Sequence, residues 1–128
     1  ARIFNSAVMP YEDKFIGVFR GETINGRPHI YLGHSKDAIN WEFDKERINF
    51  VDEDGKPYQP LYAYDPRLLK IEDAYYIIWC GDFDGAAIGI AKTTDFKTFV
   101  DSPKSLHKCV FPIFAFIPVR CNQCDNEV

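Results

Sequence analysis

No lysine- and arginine-rich run appears in this 128-residue chain. Its 15 basic side chains are outnumbered by 19 acidic ones, for a net charge of −4. Phosphate-backbone binding needs a basic face, so nucleic acid is not an expected partner. Long apolar runs are missing too. The longest, Val110 to Val119, holds ten residues and two prolines, whereas a helix across a bilayer needs roughly 20 apolar residues. No membrane partner is expected. The opening Ala1-Arg2-Ile3-Phe4-Asn5 lacks a charged-then-apolar leader pattern, so the expected location is cytoplasmic. Cysteine is scarce and uneven: Cys80 lies in an apolar strand pattern, while Cys109, Cys121 and Cys124 crowd near the end. A disulfide-built domain spreads its cysteines through the chain. Cys121-Asn122-Gln123-Cys124 has no second pair to complete a tetrahedral zinc site, and His29, His34 and His107 share no ligand spacing. No metal is expected. A Gly-rich phosphate loop, a G-x-S-x-G elbow and any sustained helical period are also absent.

What the chain has is aromatic residues and a repeat. Eleven Phe, seven Tyr and two Trp within a 46% apolar composition suffice for a core. Setting Asn5–Gly21 over Asp65–Gly81 aligns Val8-Met9 with Leu68-Leu69 and Glu12-Asp13 with Glu72-Asp73. The apolar runs Phe15–Gly21 and Tyr75–Gly81 then coincide at an offset of sixty. After a loop two residues shorter, Ile30–Asp37 falls on Ile88–Asp95, and Trp41 and Phe99 each follow their Asp by four. The chain contains a duplication.

Each copy reads as four short antiparallel strands. Expected spans are 5–11, 14–20, 29–35 and 41–44, then 65–71, 74–80, 87–93 and 98–100. Glu12-Asp13, Glu72-Asp73, Asn25-Gly26 and Asp84-Gly85 supply the hairpin turns. Four-stranded repeats of this length are propeller blades, and propellers close with 4 to 8 of them. The fold expected is therefore all-β, two blades of a propeller over residues 1–100, with 101–128 a divergent tail or incomplete third blade. An eight-stranded β-sandwich is the alternative. Two blades with uncovered faces are expected to self-associate, to swap elements, or to be soluble only with their missing blades.

The repeat also points to a site. Asn5 and Asp65 hold equivalent places at the start of each first strand, the strand that lines a propeller's channel, where ligands collect. Tyr64-Asp65-Pro66-Arg67 reads equally well as a turn in which Arg67 pairs with a neighbouring acid. Arg20 stands among apolar strand residues, a costly place unless it meets acids or a hydroxyl-rich ligand. Asp52–Gly55 and Asp82–Gly85 lack the ligand spacing of a calcium loop and read as hairpin turns. Ser35-Lys36-Asp37 through Trp41 is similar to a sialidase Asp box, one residue short and without its Gly. Its echo at Asp95 and Phe99 marks a structural turn instead.

Taken in order, Ala1–Ser6, Gly17-Val18-Phe19-Arg20, Ser35-Lys36-Asp37 with Trp41, Tyr64-Asp65-Pro66-Arg67, and Ile88–Ala91 with Asp95-Phe96-Lys97 closely resemble the N-terminal part of the β-mannoside phosphorylases, glycoside hydrolase family 130. The resemblance covers about residues 1–100 and implies part of a five-bladed propeller. It implies inverting phosphorolysis of β-mannosidic linkages to mannose 1-phosphate, a glycosyl transfer to phosphate by a glycosidase-related enzyme. Inorganic phosphate would be co-substrate to a β-mannoside oligosaccharide, with no cofactor. Asp65 would be the proton donor, acting through a sugar hydroxyl, and Asn5, Ser6 and Arg20 would hold the mannosyl unit. Phosphate is itself an anionic nucleophile, so one carboxylic acid suffices where an inverting hydrolase needs two. The family's phosphate-binding Arg-Asn motif has no counterpart in Asp101–Val128, so the chain as it stands is expected to be a truncated, inactive piece. A non-catalytic glycan-binding or structural propeller fragment is the alternative.

Overall fold

The computed structural model describes residues 2–82 and 86–101. Ten strands and no helix occur among them. The first blade is a four-stranded antiparallel sheet: β1 (Arg2–Tyr11), β2 (Lys14–Glu22), β3 (Pro28–Ser35) and β4 (Glu42–Arg47), paired in that order. A short hairpin follows, β5 (Phe50–Val51) and β6 (Pro57–Tyr58). The second blade contains β7 (Ala63–Ile71), β8 (Ala74–Asp82), β9 (Ala86–Thr93) and β10 (Phe99–Asp101). The eight expected strands are all present, most of them lengthened by one to three residues at an end, while β4 and β10 each start one residue later than expected, leaving Trp41 and Thr98 in the preceding turns. The tail, apart from Asp101, and the turns at Asp84-Gly85 and within Asp82–Gly85 lie outside the described residues.

The hairpin β5–β6 is the element the sequence pattern did not announce. It adds to the outer edge of the second sheet, giving the order β6-β5-β10-β9-β8-β7. β5 runs parallel to β10, with Phe50 opposite Phe99 and Val51 opposite Val100. Asp52–Gly55 is its turn, as expected. The Asp52 carboxylate accepts the amides of Asp54 (3.0 Å) and Lys56 (2.8 Å), and Gly55 takes φ = 77°, a conformation glycine adopts without steric cost.

Backbone conformation repeats as closely as sequence. Among the described residues, the six non-glycine residues with positive φ form three pairs: Asn5 and Asp65, Glu12 and Glu72, Ala38 and Phe96, spaced by sixty, sixty and fifty-eight. Glu12 and Glu72 sit in two-residue loops closed by Tyr11–Lys14 and Ile71–Ala74. The third pair lies in the turn after Ser35 and Thr93. Asp37 accepts the amides of Ile39 (2.9 Å) and Asn40 (2.8 Å) and the Ser35 hydroxyl (3.0 Å). Asp95 does the same with Lys97 (2.8 Å), Thr98 (3.0 Å) and Thr93 (3.3 Å). These amide donors hold both carboxyls below the usual range. The repeated turn is structural.

One core lies between the blades. Ile16, Val18, Ile30 and Leu32 of the first meet Tyr75, Ile77, Trp79, Ala91 and Phe99 of the second. Phe50 stacks on Trp79, centroids 4.3 Å apart at 17°, so the added hairpin closes the outer end of this core. Burying each such large apolar side chain is worth roughly 1.5–3 kcal/mol. Equivalent faces do not meet across the core. Phe19 corresponds to Trp79, yet Phe19 lies on the far side of the first sheet, alternate to Val18. Opposite faces of successive sheets pack together, the relation of adjacent blades and not of a two-fold sandwich.

Candidate carbohydrate site

Two β-bulges build the site. In β1 the register with β2 slips between Phe4 and Ser6, leaving Asn5 unpaired at φ = 26°. In β7 it slips between Tyr64 and Arg67, leaving Asp65 at φ = 50° followed by Pro66, whose side chain is fully buried. Bulges bend a strand and re-aim its side chains, and Asn and Asp are the non-glycine residues that best tolerate positive φ. Both side chains turn toward each other: Asn5 Nδ2 donates to Asp65 Oδ1 at 2.5 Å.

Arg20, near the end of β2, reaches the same oxygen. Its Nη1 lies 3.7 Å from Asp65 Oδ1 and its Nη2 donates to Glu22 Oε1 at 2.7 Å. The guanidinium also lies over the Tyr64 ring, 5.6 Å from its centroid. The acids that Arg20 was expected to need are thus Glu22 and Asp65, residues of two blades. Arg20 is 27% exposed and Asp65 37%, so the cluster is open to a ligand. Oδ1 of Asp65 is engaged twice, while Oδ2 takes no hydrogen bond among the described residues. A carboxyl held by one oxygen presents the other to a hydroxyl in a fixed direction.

Asn5, Arg20 and Asp65 are therefore brought together. Ser6 is exposed beside Asn5, opposite Phe19, and no hydrogen bond among the described residues joins it to the other three. Among the described residues Arg67 pairs with no acid; its Nη1 donates to the Pro66 carbonyl at 3.1 Å. Glu22 was not singled out in the sequence, and Tyr64 was named only within the Tyr64–Arg67 cluster, with no role as a platform for Arg20. The signal for Glu22 was its position two residues beyond Arg20 on the same strand, which places both on one face. No group of three potential metal ligands occurs among the described residues.

The sequence profile of the family described as beta-1,4-mannooligosaccharide phosphorylase matches residues 1–120. The chain belongs to glycoside hydrolase family 130. It is 41% identical over 104 residues to the beta-1,4-mannooligosaccharide phosphorylase of Ruminococcus albus, an alignment covering 76% of this chain and 31% of that protein. The chain thus spans about a third of its curated relative. A solved structure from work on mannoside phosphorylases and β-1,2-mannoside hydrolases of the GH130 family superposes with a TM-score of 0.60 at 20% identity, covering 78% of this chain and 31% of the other. A Bacillus subtilis arabinanase superposes with a TM-score of 0.56 at 15% identity, covering 78% and 37%. Such distant likenesses speak to fold, and the fold of this GH130 chain is part of a propeller.

Proposed function

We propose that this chain carries the mannosyl-holding and proton-donating part of a β-mannoside phosphorylase. The observation that supports this reading is the convergence of Asn5 and Arg20 on one carboxylate oxygen of Asp65. Asn5 and Arg20 fix the Asp65 carboxyl, and its second oxygen hands a proton, through a sugar hydroxyl, to the departing glycosidic oxygen. Inorganic phosphate attacks the anomeric carbon from the opposite side, giving mannose 1-phosphate with inversion. Asn5, Ser6 and Arg20 hold the mannosyl unit, and no resident cofactor takes part. Phosphate must be met by several cations aimed at one point. The Arg20 guanidinium is already committed to Glu22, so the anion clamp is assigned to sequence outside the two blades. The 128-residue chain alone then binds β-mannosides without turning them over.

The test is paired. The Ruminococcus albus relative and this chain are given β-1,4-mannobiose with and without phosphate, and mannose 1-phosphate and free mannose are measured. Phosphate-dependent release by the relative, with binding but no turnover by this chain, is expected. Phosphate-independent release of free mannose by the relative would replace phosphorolysis with hydrolysis. Failure of this chain to bind mannobiose above a cellobiose control would favour a structural fragment over a sugar-holding one.

A further inference from the structure

Arg20 stands between two acids and holds them unequally. Its Nη2 donates to Glu22 Oε1 at 2.7 Å, a charge-assisted hydrogen bond. Its Nη1 stops 3.7 Å from Asp65 Oδ1, about 1 Å short of a second one. The inequality begins in the backbone. Glu22 lies two residues beyond Arg20 on β2, so both side chains leave the same face of the sheet. Both residues are fixed in the strand ladder, Arg20 between Phe4 and Ile30, Glu22 between Arg2 and Pro28. Asp65 approaches from the other blade, out of the bulge in β7. The Arg20–Glu22 pair is not a requirement of the blade itself. At the equivalent positions of the second blade, sixty residues on, stand Cys80 and Asp82, an acid with no arginine two residues before it.

A guanidinium presents parallel N–H donors that match the two oxygens of a carboxylate, and this two-pronged pair is the strong form of the contact. Released from Glu22, Arg20 would close the remaining distance and grip Asp65 on both oxygens. Oδ2, which takes no hydrogen bond among the described residues, would then be lost to a sugar hydroxyl. A carboxylate gripped by a cation is also stabilised as the anion, the wrong form for a proton donor. We infer that Glu22 is a positioning residue that holds Arg20 off Asp65 and so keeps Oδ2 open to the mannosyl hydroxyl. Glu22 acts through Arg20 and touches no substrate. The inference deepens the phosphorylase reading and rests on it, since only an Asp65 that serves a ligand needs an oxygen kept free.

The experiment uses the full 128-residue chain, with β-1,4-mannobiose as probe and cellobiose as control. Glu22→Gln keeps the size of the side chain and removes its charge, and far-ultraviolet circular dichroism verifies folding. Mannobiose binding is expected to weaken about tenfold, the step from a charge-assisted to a neutral hydrogen bond on Arg20. In the sugar-free variant the Asp65 carboxyl carbon signal, read by nuclear magnetic resonance, is expected to move as Arg20 closes on it. In an Arg20→Met background the same change should leave that signal where Arg20→Met alone puts it, because no guanidinium remains to restrain. Wild-type affinity and an unmoved Asp65 signal in Glu22→Gln would overturn the inference and leave the phosphorylase reading standing. Weakened binding with an unmoved signal would overturn it too, since Glu22 would then meet the sugar directly. A wild-type chain that binds mannobiose no better than cellobiose would overturn the phosphorylase reading and this inference with it. Should Glu22→Gln fail to fold, Glu22→Asp, which draws the carboxylate back by one methylene, is read in the same two ways.

Discussion

Asn5 and Asp65, equivalent residues of the two repeats, are joined by a hydrogen bond from Nδ2 to Oδ1 across sixty residues of sequence. Each lies in a bulge of its blade's first strand, Asn5 alone and Asp65 together with Pro66. The duplication has thus placed one amide and one carboxylate face to face, and Arg20 completes the group from the neighbouring strand. Position was copied and side-chain chemistry was not.

The amide is expected to matter through the carboxylate it holds. Asn5→Ala removes the donor on Asp65 Oδ1 and should weaken mannoside binding by this chain about tenfold, the range of a hydrogen bond to a charged group. Asn5→Asp should do more, since it sets two carboxylates against each other. Titration of each variant with mannobiose, followed by nuclear magnetic resonance, measures both. Equal affinity for all three chains would remove Asn5 from the site.

The repeated turns predict acid sensitivity. Asp37 and Asp95 are held below the usual carboxylate range in the fold by backbone amide donors. A depressed folded-state pKa contributes stability that is present above the unfolded value, near 4, and lost as pH falls through the folded one. The melting temperature should therefore drop steeply below about pH 4. Asp37→Ala and Asp95→Ala should each lower it at pH 7 and flatten that acid limb. A melting curve with the wild-type acid limb in both variants would contradict this account of the turns.

Packing between the blades leaves no room at Gly89. A Cβ there would enter the Trp79 indole, the largest fully buried side chain. Gly89→Val should cost at least the ~1–3 kcal/mol of an overpacked core, read from urea denaturation. Trp79→Ala should cost about 3–5 kcal/mol, because the Phe50 stack is lost with it. Wild-type stability in either variant would mean the blades are not packed as described.

How much of this was legible in the sequence follows from what repeats. Strands, hairpin turns and the Asp37 and Asp95 loops recur at fixed offsets, so local pattern and duplication reinforced each other. Asn5 and Asp65 could be paired for the same reason, although their contact could not. The hairpin Phe50–Tyr58 was illegible because its strands have two residues each and β5 pairs in parallel with a strand almost fifty residues away. No alternation develops over two residues, and parallel pairing leaves no turn to read. Glu22 was overlooked because a surface-facing acid at a strand end is ordinary. Only the placement of Arg20 beside it, toward Asp65, gives it a part in the site.

The proposed function rests most heavily on Asp65 delivering the proton to the leaving oxygen. Asp65→Asn, made at the matching position of the Ruminococcus albus phosphorylase, tests it when two leaving groups are compared. With mannobiose, whose sugar alkoxide must be protonated as it departs, mannose 1-phosphate release should fall by at least ~10², the weight of a general acid. With a dinitrophenyl mannoside, whose phenolate leaves without a proton, release should stay within a few-fold of wild type. Equal loss on both substrates would make Asp65 a positioning residue, and an undiminished rate on mannobiose would remove it from the chemistry.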